Sequence, residues 1–164
     1  MQVQLDPRSI PNLTGARIVI LQAKWYREHV DRMVKKCLAV LATTDCHEPE
    51  LHVLPGSLEL PLAAQTLIRN APSDKPYAAI ICFGAILKGE TYHFEMIMNE
   101  CIRGLGQVML SENVPIIVEV IPVTKIEQLI ARSQDDAFNK GVEAALAAAE
   151  IISWRRHLAA GRVS

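Results

Sequence analysis

Short blocks of continuous apolar residues alternate along the chain with longer stretches in which apolar residues recur every three or four positions. The first block, Arg17 to Ala23 (RIVILQA), is β-branched and apolar on both faces, as a parallel strand covered by helices on both sides must be. From Trp25 to about Thr43, Val30, Met33, Val34, Cys37, Leu38 and Leu41 follow helical spacing with basic residues between them, which predicts an amphipathic helix. Glu50 to Leu54 predicts a second strand ending at Pro55-Gly56, and Leu58 to Arg69 a helix entered through Pro61. Tyr77 to Phe83 (YAAIICF), stopping at Gly84, and Pro115 to Ile121 (PIIVEVI), stopping at Pro122, repeat the buried-strand signature. Between them Phe94, Met98, Cys101, Leu105 and Val108 step by 4, 3, 4 and 3, one stripe of a long helix. Two further helices are predicted at about 125–132 and 138–158, the second rich in alanine, which permits close helix packing.

Strands alternating with helices imply right-handed crossovers and a parallel sheet covered on both faces. The expected fold is therefore an α/β three-layer sandwich, a four-stranded parallel sheet of flavodoxin-like topology. Residues 1–15, with Pro7, Pro11 and Gly15, read as an N-terminal arm lying on a neighbouring subunit, and 16–164 as one domain.

Composition narrows the function. With 17 basic and 18 acidic residues the net charge of −1 supplies no field for gathering nucleic acid. Cys37, Cys46, Cys82 and Cys101 are spaced 9, 36 and 19 apart, which fits neither zinc pairs nor a dense disulfide framework and points to a reducing cytoplasm. No apolar run approaches the roughly 20 residues of a membrane span, and the N-terminus lacks the order of a signal peptide. His47 and His52 are too isolated to argue for a metal.

Ligands of open parallel sheets collect beyond the carboxyl ends of the strands, where loops converge and helix N-termini present free N–H groups. Four segments qualify: 22–25, 55–59, 87–93 and 120–124. Trp25 offers an aromatic face to a flat heterocycle or simply covers the sheet end. Glu59 can hydrogen-bond a polyol or complement a helix dipole. The Lys88-Gly89-Glu90-Thr91 turn can hold an anion through its amides, although most such turns bind nothing. His93 falls at a helix start, where the positive dipole end disfavours an imidazolium and favours the neutral imidazole of a proton shuttle; the plainer reading is an exposed histidine. Arg132 and Lys140 flank a polar loop, where cations ordinarily just solvate helix ends.

Read together, three motifs resemble the lumazine synthase family: Pro55 to Pro61 (PGSLELP) is similar to PGAxEIP, Gly84 to Phe94 (GAILKGETYHF) to GxVIRGxTxHF, and Asn139 to Ala145 (NKGVEAA) to NKGxEAA. The resemblance runs from about residue 16 to about 152. It implies a cytoplasmic enzyme of riboflavin biosynthesis that condenses 5-amino-6-(D-ribitylamino)uracil with 3,4-dihydroxy-2-butanone 4-phosphate to 6,7-dimethyl-8-ribityllumazine, without metal or organic cofactor. By the same resemblance His93 transfers protons and Arg132 binds phosphate, assisted by Lys140, Glu90 and Thr91. Trp25 stacks on the pyrimidine, Ser57, Leu58 and Glu59 brace the ribityl chain and pyrimidine, and the backbone of Ile86 and Leu87 reads the uracil edge.

Three departures stand out. Leu58 and Val118 replace pocket aromatics, Val118 at a position usually supplied by a neighbouring subunit, and Glu119 follows where a small residue is common. A slow or non-catalytic flavin- or lumazine-binding protein is the alternative these raise. The resemblance also implies a homo-oligomer with sites at subunit contacts; Ala137-Phe138 before the NKG motif inclines it to a pentamer or decamer.

Overall fold

A computed structural model describes residues 9–161. The expected order of elements is present. Strands β1 (Ile18–Ala23), β2 (Glu50–Leu54), β3 (Ala79–Leu87) and β4 (Ile116–Val123) form one parallel sheet in the order β2-β1-β3-β4. Helices α1 (Arg27–Leu41), α2 (Leu60–Asn70), α3 (His93–Glu112), α4 (Ile126–Ser133) and α5 (Lys140–Ala159) cover it, α1, α4 and α5 on one face and α2 and α3 on the other. The architecture is the expected three-layer α/β sandwich.

The two cores follow from the pleat, which sends alternate residues to opposite faces. Ile18, Ile20, Ile81, Phe83, Ala85, Ile121 and Val123 pack beneath α1 and α5. Val19, Leu21, Ile80, Cys82, Ile86 and Val120 pack beneath α2 and α3. The first layer is the tighter. A Cβ placed on Gly141 would lie 2.0 Å from the Met33 carbonyl oxygen, so only glycine lets α5 cross α1 at this separation.

Two strand ends differ from the sequence reading. β3 passes through Gly84 to Leu87, because Gly84 pairs with Val120 of β4 and its missing side chain makes room for Ser57, whose Oγ would lie 3.0 Å from a Cβ there. β4 likewise runs through Pro122 to Val123, a residue lacking an N–H being tolerated on an edge strand.

Residues 1–8 of the expected arm lie outside the described residues. Of the remainder, Leu13 is fully buried, and its N–H donates to the Thr44 carbonyl at 2.6 Å. The four cysteines are free. Burial pushes the Cys37 and Cys82 thiols far up and Cys101 up to about 11, whereas Cys46 is only half-buried.

Candidate functional site

Three chain turns beyond the carboxyl ends of β1, β2 and β3 enclose a cleft of about 570 Å³. Each turn is fixed locally. After β1, the Lys24 N–H donates to the Leu54 carbonyl at 3.0 Å, tying the turn to β2. Tyr26 then enters α1 in the left-handed region, φ 56°, with no side chain capping the helix. That backbone is unusual for a residue other than glycine, asparagine or aspartate and costs about 1 kcal/mol. Buried Gln22, the one polar residue of β1, donates to Asp31 Oδ1 at 2.6 Å, and Arg27 holds the other Asp31 oxygen at 3.3 Å, so the start of α1 is tethered to the strand. Trp25, 64% exposed, is thereby carried into the cleft.

After β2, Pro55 and Gly56 extend into a short 3-10 turn, Ser57–Glu59, that leads into α2. Ser57 is buried against β3, while Leu58 and Glu59 face outward. After β3, the Lys88 N–H donates to the Val123 carbonyl at 2.8 Å, and the Lys88 ammonium meets Glu95 Oε1 at 3.2 Å across the first turn of α3. The Glu95 backbone N–H, and after it Lys88, hold that carboxyl below the usual carboxylate range. His93 is the first residue of α3 and is exposed.

The cleft therefore brings together Trp25, Ser57, Leu58, Glu59, Ile86, Leu87 and His93. Sequence reading gives no ligand role to Tyr26, Phe94 or Ile97, which line it too; Phe94 figures there only in a helix stripe and a motif, and Ile97 carries a usable signal, one helical turn past His93. An aromatic face, a carboxylate, an imidazole and strand-end backbone beside apolar walls form a set able to hold a flat polar heterocycle and move protons on it.

Five predicted residues lie outside this cleft in the single chain. Glu90 and Thr91 sit on the exposed turn before α3, and Val118 packs toward the α2 and α3 layer from edge strand β4. Arg132 lies in the last turn of α4 and donates to the Gln128 carbonyl at 2.9 Å. The neighbouring Ser133, fully buried, meets His29 Nδ1 at 3.0 Å, and Lys36 meets Asp135 at 2.5 Å, so α1 anchors the segment that carries Arg132.

Lys140 opens α5 as a close ion-pair partner of Glu143. Asn139 caps the helix, accepting from the Gly141 N–H at 2.8 Å. Beside this pair Glu119 is largely withdrawn from water; burial first, then Glu143, push its carboxyl up to about 7 against the pull of Lys140.

A second cavity, about 660 Å³, lies near the amino ends of β1 and β3, lined by Arg17, His47, Lys75 and Arg156 among others. It is the larger, but it contains none of the predicted site residues and lies at the end of the sheet away from the strand-end turns. Among the described residues no group of His, Cys, Asp and Glu is placed to hold a metal ion. No described helix is long and apolar enough to cross a membrane.

A family model described as 6,7-dimethyl-8-ribityllumazine synthase matches residues 15–156. The 6,7-dimethyl-8-ribityllumazine synthase of Halorhodospira halophila (strain DSM 244 / SL1) is 34% identical over 160 residues, which cover 96% of this chain and 100% of that protein. The match spans all four strands and the cleft they build, and the chain belongs to the 6,7-dimethyl-8-ribityllumazine synthase family.

Proposed function

We propose that the chain condenses 5-amino-6-(D-ribitylamino)uracil with 3,4-dihydroxy-2-butanone 4-phosphate to give 6,7-dimethyl-8-ribityllumazine, releasing phosphate and water, as a step of riboflavin biosynthesis. The observation that carries this reading is the convergence of Trp25, Glu59 and His93 on one cleft in a member of this family. The pyrimidine stacks on Trp25, with its edge toward the backbone of Ile86 and Leu87 and its ribityl chain toward Ser57, Leu58 and Glu59. The pyrimidine amine adds to the butanone carbonyl and water leaves as the Schiff base forms. Phosphate is then eliminated, the ring closes, and a second water departs. Each step moves a proton between neighbouring atoms, a task for the His93 imidazole at the cleft wall.

Arg132, Lys140 and the amides around Glu90 and Thr91 are assigned to the phosphate. A guanidinium fork suits a phosphate ester, and a helix start favours an anion. Arg132 and Lys140 do not line the cleft of their own chain, so in this reading they meet the cleft of a neighbouring copy, as does Val118. The working form is then an oligomer with shared sites, a pentamer or decamer in the cytoplasm, in keeping with family membership.

The test is an assay with both substrates, following phosphate release and lumazine absorbance. Turnover is expected; absence of turnover together with tight riboflavin binding would replace the enzyme with a flavin-binding protein. Arg132→Ala is expected to raise the KM for the butanone phosphate by about tenfold or more while moving the KM for the pyrimidine less than about twofold. Equal changes in both would remove Arg132 from the phosphate.

A further inference from the structure

The larger cavity, about 660 Å³, opens near the amino ends of β1 and β3, and the chemistry proposed for the strand-end cleft makes no use of it. Its walls come from segments far apart in the chain, laced together by hydrogen bonds. The Ala78 N–H donates to the Arg17 carbonyl at 2.8 Å, and the His47 N–H to the Ala16 carbonyl at 3.0 Å. Arg17 from the start of β1, Lys75 from the approach to β3 and Arg156 from the last turn of α5 all line this one space.

The partners of these cations set them apart. Elsewhere on the surface Arg27, Arg32, Lys36, Arg69 and Arg103 each meet a carboxylate at 3.3 Å or less. Around the cavity, backbone carbonyls hold the guanidinium groups instead: Arg17 donates to the Lys75 carbonyl, and Arg156 to the Thr14 carbonyl at 3.1 Å. Arg17 also lies 4.6 Å from the centre of the Tyr77 ring. A neutral acceptor fixes a guanidinium without cancelling its charge and leaves most of its five N–H donors unused. Among the described residues the Lys75 ammonium has no hydrogen-bond or ion-pair partner. The acids nearby are Asp74, in the wall, and Glu50, which is 3.8 Å from Arg17 but closer to Tyr77 and His52, at 2.9 and 2.8 Å. Three cations thus outnumber two carboxylates at a concave site, where low-dielectric walls focus the field on an anion.

Donors of this kind select phosphate, since a guanidinium fork meets two of its oxygens at once and an ammonium can take another. The volume is in the range of pockets that hold whole organic ligands, and Ala16, Pro76 and Ala78 add apolar wall beside the charges. We infer that this cavity binds an organic phosphate of about nucleotide size, its phosphate held by Arg17, Lys75 and Arg156. The site is separate from the strand-end cleft and independent of the reaction proposed there.

Calorimetry on the full-length, assembled protein tests this with AMP and adenosine as probes. AMP is expected to bind, and adenosine, which lacks only the phosphate, to bind roughly tenfold more weakly or worse. Lys75→Met and Arg156→Met change exposed residues and are expected to keep the Tm. Each should weaken AMP roughly tenfold and leave adenosine within about twofold. Arg132→Ala, which alters the phosphate site proposed for the reaction, should leave AMP within about twofold. Absence of AMP binding, or equal losses for the two probes in the variants, would overturn the inference. So would a loss of AMP confined to Arg132→Ala, which would move the phosphate to the strand-end cleft. Inorganic phosphate that binds as tightly as AMP would overturn the organic ligand and leave a site for the free anion.

Discussion

The two helical layers of this molecule are built to different degrees of completion. On the α1 and α5 side, Gly141 crosses α1 at contact distance and Ala144, Ala145, Ala148 and Ala149 are all fully buried, so small residues seal the helices onto each other and onto the sheet. Only toward its end does α5 expose large apolar side chains, Trp154 and Leu158. On the α2 and α3 side, Leu62, Tyr92, Met96 and Leu110 are between 66% and 83% exposed. Isolated exposed apolar residues are ordinary, but several along one layer mark a surface that another body covers. The candidate cleft opens between the β1 turn and this second layer. The first layer is closed by the chain itself except at the end of α4 and start of α5, where Arg132 and Lys140 are assigned to a neighbour's cleft; the second, with the cleft beside it, carries the broader apolar surface for the proposed contacts with neighbouring copies.

The contrast is broken most severely at Gly141. Alanine there would overlap the Met33 carbonyl, and backbone cannot swing aside as a side chain can, so Gly141→Ala is expected to cost 3 kcal/mol or more, on the order of the upper range for overpacking. Thermal unfolding reads this directly, and an unchanged Tm would mean the two helices are not locked together.

Next comes Glu119, withdrawn into the same layer. Its carboxyl holds a proton up to about 7, whereas in the unfolded chain it ionises near 4.5. A raised folded-state value means the stabilisation is complete below the unfolded value and lost as pH rises through the folded one. Glu119→Gln, neutral throughout, is therefore expected to raise stability at pH 8 by up to about 3 kcal/mol and to change it little at pH 4.5. Melting curves at the two pH values check the sign, and equal shifts at both would remove the carboxyl as the cause.

The smallest effect is expected in the looser layer. A Cβ on Gly104 of α3 would meet Pro61 Cγ at 2.9 Å and Pro61 Cβ at 3.0 Å, an overlap with a ring rather than with a carbonyl and far shallower than the one at Gly141, which a small parting of α2 and α3 relieves. Gly104→Ala should cost about 1 kcal/mol, the clash being partly offset by better helix propensity. A loss as large as that of Gly141→Ala would mean that the two layers are equally rigid.

Much of this was legible in the chain because the signals are local. Strand and helix periods placed the elements, and the rule that ligands gather at strand carboxyl ends placed Trp25, Glu59 and His93 in one neighbourhood before any coordinates. Gly84 and Pro122 misled the reading of strand ends, since both residues usually punctuate a strand; whether one does so depends on a partner such as Ser57 or on edge position, which local sequence does not encode. The Gln22–Asp31 tether had a faint trace, a lone amide in an apolar strand. Arg132 and Lys140 were the least legible. Nothing in their spacing relates them to the cleft, and within one chain they do not reach its lining. If two copies complete the site, that relation is a property of the assembly rather than of any segment.

The uneven burial of the thiols has a practical side. Cys37, Cys82 and Cys101 are shut inside the fold with their ionisation suppressed, which leaves Cys46, past the far end of α1 from the Trp25 turn, as the point where an alkylating reagent meets the native protein first. A fluorophore attached there would watch ligands arrive at the cleft from the opposite end of the sheet, without standing in their way.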